Sequence, residues 1–252
     1  MAYFQHDGLT LAFTDEGEPI AGTVLMIHGF ASNAQVNWVG PGWFKTFLEA
    51  GYRCIAIDNR GHGDSDKPHD ADAYYPEKMA DDAAALLDHL AISQAHVFGY
   101  SMGARITAFM AARHPDKVQS IIFGGLGMPM VTGVGDWDPI ADALLAPSLD
   151  VVAHPRGRMF RAFADDTGSD RFALAACIKS SRTLVTEAQL AAMTMPALIG
   201  VGTKDDIGGD PHGLAKLMPN AQAFEIERRD HMQAVGDRTF KAAALEFLAG
   251  QG

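Results

Sequence analysis

The sequence predicts an α/β fold in which a mostly parallel central sheet is flanked by helices. Apolar strand-like runs alternate with helical segments along the chain, and this alternation is typical of βαβ units. Hydrophobic residues make up 48% of the 252 residues, which is enough for a sizeable core. A third observation is a Gly-x-Ser-x-Gly segment at residues 99–103, placed between a predicted strand and a predicted helix.

The individual elements follow from hydrophobic periodicity. Residues 9–13 alternate with period two, as in a half-buried strand, whereas the other predicted strands are mainly apolar runs buried on both faces. These other strands are residues 24–27, 53–57, 95–98, 118–123, 196–201 and 221–226. Helices are predicted for residues 77–91, 102–113 and 236–249, where apolar or small residues recur at spacings of three and four.

The regular alternation of strands and helices stops between residues 124 and 195. This stretch is rich in glycine and proline at first and then contains short helical patches at residues 139–145 and 172–180. It is too long for an ordinary connection. The sequence therefore predicts a core formed by residues 1–124 and 196–252, with residues 125–195 inserted as a small helical cap.

Charge and composition exclude several classes of partner. The net charge of −11 argues against a nucleic-acid partner, because phosphate binding needs clustered lysine and arginine. No apolar stretch approaches the roughly 20 residues of a membrane span, and the first residues lack the pattern of a signal peptide. We therefore expect a cytoplasmic protein that does not bind a membrane. The histidines and cysteines show no metal-ligand spacing, so neither a metal nor another cofactor is expected.

Candidate catalytic residues lie after three of the predicted strands, where open α/β sheets place their sites. A serine nucleophile needs a base, and the base needs an orienting acid. The strand at 196–201 is followed by Asp205 and Asp206, and either could project from the strand end. His231 follows the strand at 221–226. The order Ser101, aspartate, His231 is that of one class of catalytic triad.

Four motifs make the sequence resemble the α/β-hydrolase superfamily over nearly its full length. They are His28-Gly29-Phe30, the Asp-Asn-Arg-Gly-His-Gly-Asp-Ser turn at residues 58–65, the Gly-Tyr-Ser-Met-Gly segment at residues 99–103, and Gly202-Thr203-Lys204-Asp205. The resemblance implies a triad of Ser101, His231 and Asp205, with Asp206 as a neighbour. Asp230 stands where the family usually has a glycine before its histidine.

The resemblance also implies an oxyanion hole made by the backbone N–H groups of Phe30 and Met102. Such preorganised donors stabilise the charge that develops on oxygen in the transition state. We expect a substrate pocket lined by Trp38, Tyr100, Met128 and Met130. An ordinary core position is the alternative for each of them, and for the two methionines it is an equal alternative.

Other charged or titratable residues are interpreted as follows, with two alternatives for the arginines of the predicted cap. The cap arginines are either surface residues or ligands of a substrate carboxylate; they are Arg156, Arg158, Arg161 and Arg171. We expect Asp81 and Asp82 on a solvated helix face. His28 and His62 are expected to brace their loops through hydrogen bonds.

Together these residues predict a serine hydrolase that cleaves a small ester through an acyl-enzyme, with a small-molecule ester or lactone as its partner. An enol-lactonase, a carbon–carbon bond hydrolase or a perhydrolase would use the same triad. A non-catalytic binding protein of this fold is an alternative from another class. Epoxide hydrolase and dehalogenase chemistry is disfavoured, because those superfamily members have aspartate where this chain has Ser101.

Overall fold

A computed structural model describes residues 1–251, and within that range eight strands form one sheet. The strands are β1 (Ala2–His6), β2 (Leu9–Glu16), β3 (Gly22–Ile27), β4 (Tyr52–Ile57), β5 (Ala95–Tyr100), β6 (Val118–Gly124), β7 (Ala197–Gly202) and β8 (Ala221–Ile226). Their order across the sheet is β1-β2-β4-β3-β5-β6-β7-β8. β1, β2 and β4 pair antiparallel and every pairing from β4 to β8 is parallel, which confirms the predicted mostly parallel sheet.

Helices lie on both faces of this sheet. The α-helices are α1 (Trp43–Glu49), α2 (Pro76–His89), α3 (Met102–Arg113), α4 (Pro129–Thr132), α5 (Asp138–Leu145), α6 (Pro155–Asp166), α7 (Arg171–Ser180), α8 (Glu187–Ala192), α9 (Pro211–Ala215), α10 (His231–Ala234) and α11 (Arg238–Ala249). Side chains of α1 and α11 share one hydrophobic cluster, and those of α2 and α3 share the other. Among residues 1–251, no helix is both long and apolar enough to cross a membrane.

One strand was not predicted and the last helix begins later than predicted, each for a local reason. β1 was not predicted, because only Phe4 of its five residues is buried and no apolar run marks it. The last helix begins at Arg238 rather than at residue 236. The carboxylate of Asp237 accepts a hydrogen bond from the Thr239 N–H at 2.7 Å, which is the usual N-cap arrangement.

The segment between β6 and β7 contains α4 to α8. The predicted patches at residues 139–145 and 172–180 correspond to α5 and α7, whereas α4, α6 and α8 were not predicted. α5 packs against both α6 and α7. Ile140 and Leu174 belong to the same hydrophobic cluster as α2 and α3, so apolar packing is continuous between this segment and the sheet. The division into a core and a cap at residues 125–195 stays a prediction.

Asp82 is buried, so the expectation that it lies on a solvated helix face is wrong. Its two carboxylate oxygens accept hydrogen bonds from Nε and Nη2 of Arg60, each at 2.7 Å, and both side chains are 1% exposed. His6 Nδ1 lies 2.7 Å from the same carboxylate. The buried guanidinium of the turn at residues 58–65 needs a counter-ion, and Asp82 supplies it from α2.

Candidate active site

Ser101 forms the sharp turn between β5 and α3. Its φ of 55° and ψ of −111° are strained for a residue with a side chain. The Ser101 N–H donates to the carbonyl of Gly124 on the neighbouring strand β6 at 2.8 Å. The turn therefore holds the serine at the carboxyl end of the parallel strands, with its side chain directed out of the sheet.

The two glycines of the segment allow α3 to approach the sheet closely. A Cβ atom on Gly103 would overlap the backbone carbonyl of Ile27 on β3, and one on Gly99 would overlap the carbonyl of Gly103. Any side chain at these two positions would push the helix away and displace Ser101.

His231 is the first residue of the short helix α10, after the end of β8. The carboxylate of Asp230 caps this helix by accepting hydrogen bonds from the N–H groups of Met232 and Gln233, at 3.1 and 2.8 Å. The Tyr100 hydroxyl donates to the His231 carbonyl at 2.6 Å. Asp230, which replaces the glycine usual in the family, therefore helps to position the histidine.

The structure brings Ser101, His231 and Asp205 into one hydrogen-bonded chain. His231 Nε2 lies 3.0 Å from Ser101 Oγ, and His231 Nδ1 lies 2.8 Å from Asp205 Oδ2. Because the carboxylate accepts from Nδ1, the other ring nitrogen is free to accept the serine proton. The second carboxylate oxygen accepts from the N–H groups of Ile207 and Gly208 at 2.9 and 2.7 Å, which fixes its orientation.

The loop after β3 lies against the nucleophile candidate. His28 bridges this loop, since its Nδ1 donates to the Gly29 carbonyl at 2.8 Å and its Nε2 accepts from the Asn59 N–H at 2.9 Å. Burial lowers the pKa of His28 to about 4, so the ring is neutral at neutral pH and can accept. Asn37 Oδ1 accepts from the Gly29 N–H at 3.0 Å. A Cβ atom on Gly29 would lie 3.5 Å from that of Ser101.

Phe30 and Met102 line the same cavity as Ser101. Met102 is the first residue of α3, so its N–H has no acceptor within the helix. Phe30 immediately follows the braced His28-Gly29 pair. This arrangement is compatible with the oxyanion hole expected from the sequence, which stays a prediction.

A cavity of about 240 Å³ opens beside Ser101 and is lined mostly by apolar side chains. Phe30, Tyr100 and Met102 line it from the sheet side, and Trp137 and Phe160 line it from the segment between β6 and β7. Drug-sized ligands usually occupy about 300–1,000 Å³. The volume of the cavity is therefore suited to a small ligand that is mainly in contact with apolar side chains.

Three of the expected pocket residues lie outside this cavity. Trp38 is completely buried on the other face of the sheet, where its ring packs 4.6 Å from that of Phe98. Met130 is completely buried in the core, and Met128 packs beside Gly213. Apolar character alone could not separate these core positions from lining positions. Tyr100, the fourth expected residue, does line the cavity.

The cavity contains polar residues that sequence reasoning missed, and they include Asn37, Arg105 and Arg182. Arg105 lies one helical turn after Ser101 on α3, so its spacing could have revealed it. No comparable signal marks Arg182, which is distant in sequence. The cap arginines named from the sequence have other partners: Asp206 for Arg156, backbone carbonyls for Arg158, and both backbone carbonyls and the Asp165 carboxylate for Arg161 and Arg171.

Residues 22–158, more than half of the chain, match the family model described as alpha/beta hydrolase fold. An esterase from Exiguobacterium antarcticum has a similar structure, with a TM-score of 0.80, 20% identity and coverage of 96% of both chains. At this identity the likeness establishes the fold alone.

Two relatives are similar over part of their sequences. A 2-(acetamidomethylene)succinate hydrolase from Mesorhizobium japonicum is 39% identical over 99 residues, which are 39% of this chain and 34% of the relative. An epoxide hydrolase from Caballeronia sordidicola is 36% identical over 126 residues, which are 50% of this chain and 36% of the relative. The chain thus matches little more than a third of the length of either relative.

Proposed function

Because this chain belongs to the α/β-hydrolase family, we propose that it is a serine hydrolase that cleaves a small carboxylic ester. The observation that supports this most directly is the hydrogen-bonded chain of Ser101, His231 and Asp205 beside an apolar cavity. Hydrolases are among its relatives, which supports the class of reaction and leaves the ester specificity as our proposal.

In the first half of the proposed reaction, Ser101 Oγ attacks the ester carbonyl carbon and its proton passes to His231 Nε2. Asp205 holds the imidazole and stabilises its charged form. The electron pair of the carbonyl moves to oxygen, where the N–H groups of Phe30 and Met102 stabilise the negative charge. When the tetrahedral intermediate collapses, the bond to the alcohol oxygen breaks and His231 gives that oxygen its proton.

In the second half, water attacks the acyl-enzyme. His231 Nε2 takes a proton from the water as the new carbon–oxygen bond forms. Collapse of the second intermediate breaks the bond to Ser101 Oγ, which regains the proton from His231. The products are a carboxylic acid and the free enzyme. A small lactone would react in the same way, with acid and alcohol retained in one product.

Substitution of the nucleophile tests this proposal. Ser101→Ala should abolish labelling by a fluorophosphonate probe and lower kcat for 4-nitrophenyl butyrate by about four to six orders of magnitude, because the attacking oxygen is lost. Ser32 lines the same cavity, so Ser32→Ala serves as a control that should still be labelled. A folded Ser101→Ala protein that kept a tenth of the turnover would contradict the proposal.

A further inference from the structure

The cavity beside Ser101 contains positive charge without a neutralising acid. Among the described residues, its lining includes Arg105 and Arg182 but no aspartate or glutamate. An outer cavity of about 450 Å³ shares both arginines and adds Lys179, again without an acidic residue among those described. The chain as a whole has a net charge of −11, so a cationic cavity is not a consequence of its composition.

Arg105 is buried, with 4% of its surface exposed, and its guanidinium is held by carbonyl groups alone. Nη1 donates to the carbonyls of Met130 and Thr183 at 2.9 and 3.0 Å, and Nη2 donates to that of Pro129 at 3.1 Å. Burial and the nearby charge of Arg182 lower the pKa of Arg105 to about 10. Arg105 therefore remains charged at neutral pH.

Other buried arginines of the chain have a carboxylate partner. Arg60 is paired with Asp82 at 2.7 Å, and Arg161 is paired with Asp165 at 2.9 Å. Within residues 1–251, no carboxylate lies at salt-bridge distance from Arg105. A buried cation without a counter-ion is costly, and an anion from outside the chain would remove that cost.

Two further donors at the same place lack an acceptor. Considering the described residues, Nε of Arg182 and the indole Nε1 of Trp137 are buried and have no hydrogen-bond partner. The terminal Nη2 of Arg182 is 3.6 Å from Asp138, a long contact to a carboxylate that is 79% exposed. Arg105, Arg182 and Trp137 all line both cavities and so lie at the boundary between them.

We infer that Arg105, Arg182 and Trp137 bind a carboxylate that the substrate itself contains, an inference that rests on the ester hydrolysis proposed above. A planar carboxylate can accept hydrogen bonds from a guanidinium and an indole N–H at the same time. Arg105 follows Ser101 by four residues on α3, which corresponds to about 6 Å along the helix. Ser101 and Arg105 line the same cavity of about 240 Å³, so the carboxylate and the cleaved ester belong to one small substrate.

Matched ester pairs that differ in one charge test this inference. The first pair has the carboxylate in the acyl part: mono-4-nitrophenyl adipate and its methyl ester. The second has it in the leaving group: 3-carboxyphenyl hexanoate and the corresponding methyl ester. In at least one pair, the native protein should prefer the free acid by about tenfold to a hundredfold in kcat/KM. Equal or lower kcat/KM for both acids would overturn the inference.

Variants then identify the residues that cause the preference for the free acid over its methyl ester. Arg182→Gln and Trp137→Phe should each lower kcat/KM for the preferred acid more than for its methyl ester, and the loss of preference should be larger for Arg182→Gln. Arg158, whose Nη1 is held by the carbonyls of Leu149 and Val152 outside the cavity, provides the control. Arg158→Gln should keep the native preference. An Arg182→Gln protein that kept the native preference for the acid would contradict the assignment of Arg182 to carboxylate binding.

Two readouts separate this inference from the proposed function. If fluorophosphonate labels Ser101 and the methyl esters are cleaved without any preference for the acids, only the carboxylate subsite is wrong. If neither labelling nor cleavage occurs, the hydrolase proposal is wrong. Calorimetry of mono-4-nitrophenyl adipate with Ser101→Ala then decides the subsite. Binding that weakens by about tenfold or more in Ser101→Ala/Arg182→Gln supports it, and unchanged binding refutes it.

Discussion

At the scale of single residues, two adjacent aspartates after β7 have different surroundings. Asp205 is 9% exposed, and its carboxylate accepts hydrogen bonds from His231 and from the N–H groups of Ile207 and Gly208. The side chain of Asp206 is 79% exposed and lies 3.3 Å from Arg156. The turn after β7 thus places Asp205, and not Asp206, beside His231, a distinction that strand position alone could not make.

This difference predicts unequal effects of two conservative substitutions. Asp205→Asn should lower kcat for 4-nitrophenyl butyrate by about 10⁴-fold, because the amide would favour the wrong tautomer of His231. Asp206→Asn is the matched control and should leave kcat within about twofold, since an exposed ion pair contributes little. A larger loss in Asp206→Asn would mean that the assignment is shifted by one residue.

A second adjacent pair predicts a difference in stability. Asp82→Asn should lower the free energy of unfolding by about 3–5 kcal/mol, because it leaves the Arg60 guanidinium buried without its full counter-charge. Asp81 pairs with Arg113 near the surface, so Asp81→Asn should cost about 0–1 kcal/mol. Urea denaturation measures both changes. Equal losses would show that the buried pair has no special effect on stability.

At the scale of elements, the contact between α3 and the sheet determines where the nucleophile lies. Gly103→Ala would introduce a methyl group against the Ile27 carbonyl, and the loss of stability should lie at the upper end of the usual range of about 1–3 kcal/mol for overpacking. Activity should also fall, because Ser101 precedes the displaced turn.

Gly236→Ala is the control for this substitution. A Cβ atom there would lie 3.5 Å from the Cβ of Pro41, an ordinary contact, and the backbone of Gly236 is not in the left-handed region. Its effect should stay within about 1 kcal/mol in either direction. Urea denaturation and turnover of 4-nitrophenyl butyrate measure both variants. A Gly103→Ala protein as stable as Gly236→Ala would contradict the proposed close packing.

The sequence predicted those elements whose local pattern reflects their burial. Apolar runs located β3 to β7, and the rule that sites lie at strand ends grouped Ser101 with the residues after β7 and β8. The cavity was less predictable. Its lining depends on how α5 to α7 fold back over the sheet, and Trp38 and Trp137 look alike in sequence although only Trp137 lines the cavity. Tertiary packing, which has no local period, decides such positions.

At the scale of the whole molecule, charge is distributed unevenly between surface and cavity. The net charge of −11 resides outside the two cavities, whose lining has arginine and lysine but no acid among the described residues. The electrostatic potential in the cavities depends mainly on the nearest buried charges, because salt screens the more distant charges on the surface. The acidic composition of the chain is therefore compatible with the proposed binding of a substrate carboxylate.

Buried histidines link the stability of the whole fold to pH. His28 and His62 are completely buried with ring centroids 5.1 Å apart, and His96 on β5 is 2% exposed. Burial lowers the pKa of His28 to about 4, that of His62 to about 3 and that of His96 to about 4, from an ordinary value of 6.5. Between these values the unfolded chain binds protons that the native protein does not.

Stability should consequently decrease as pH falls from about 6.5 towards 4, by up to about 1.4 kcal/mol per pH unit for each of the three histidines. The pKa of Asp237 is lowered to about 2, so the stability it contributes is lost only at lower pH and does not obscure this window. Free energies of unfolding in urea at pH 7, 6 and 5 measure the slope. His62→Leu should reduce that slope by about a third, because one of the three neutral rings is removed. His212 is exposed, so His212→Gln removes no buried ring and is the control that should keep the native slope. Equal stability at pH 7 and pH 5 would mean that the native protein takes up as many protons as the unfolded chain over this range, so that burial would not keep these three rings neutral.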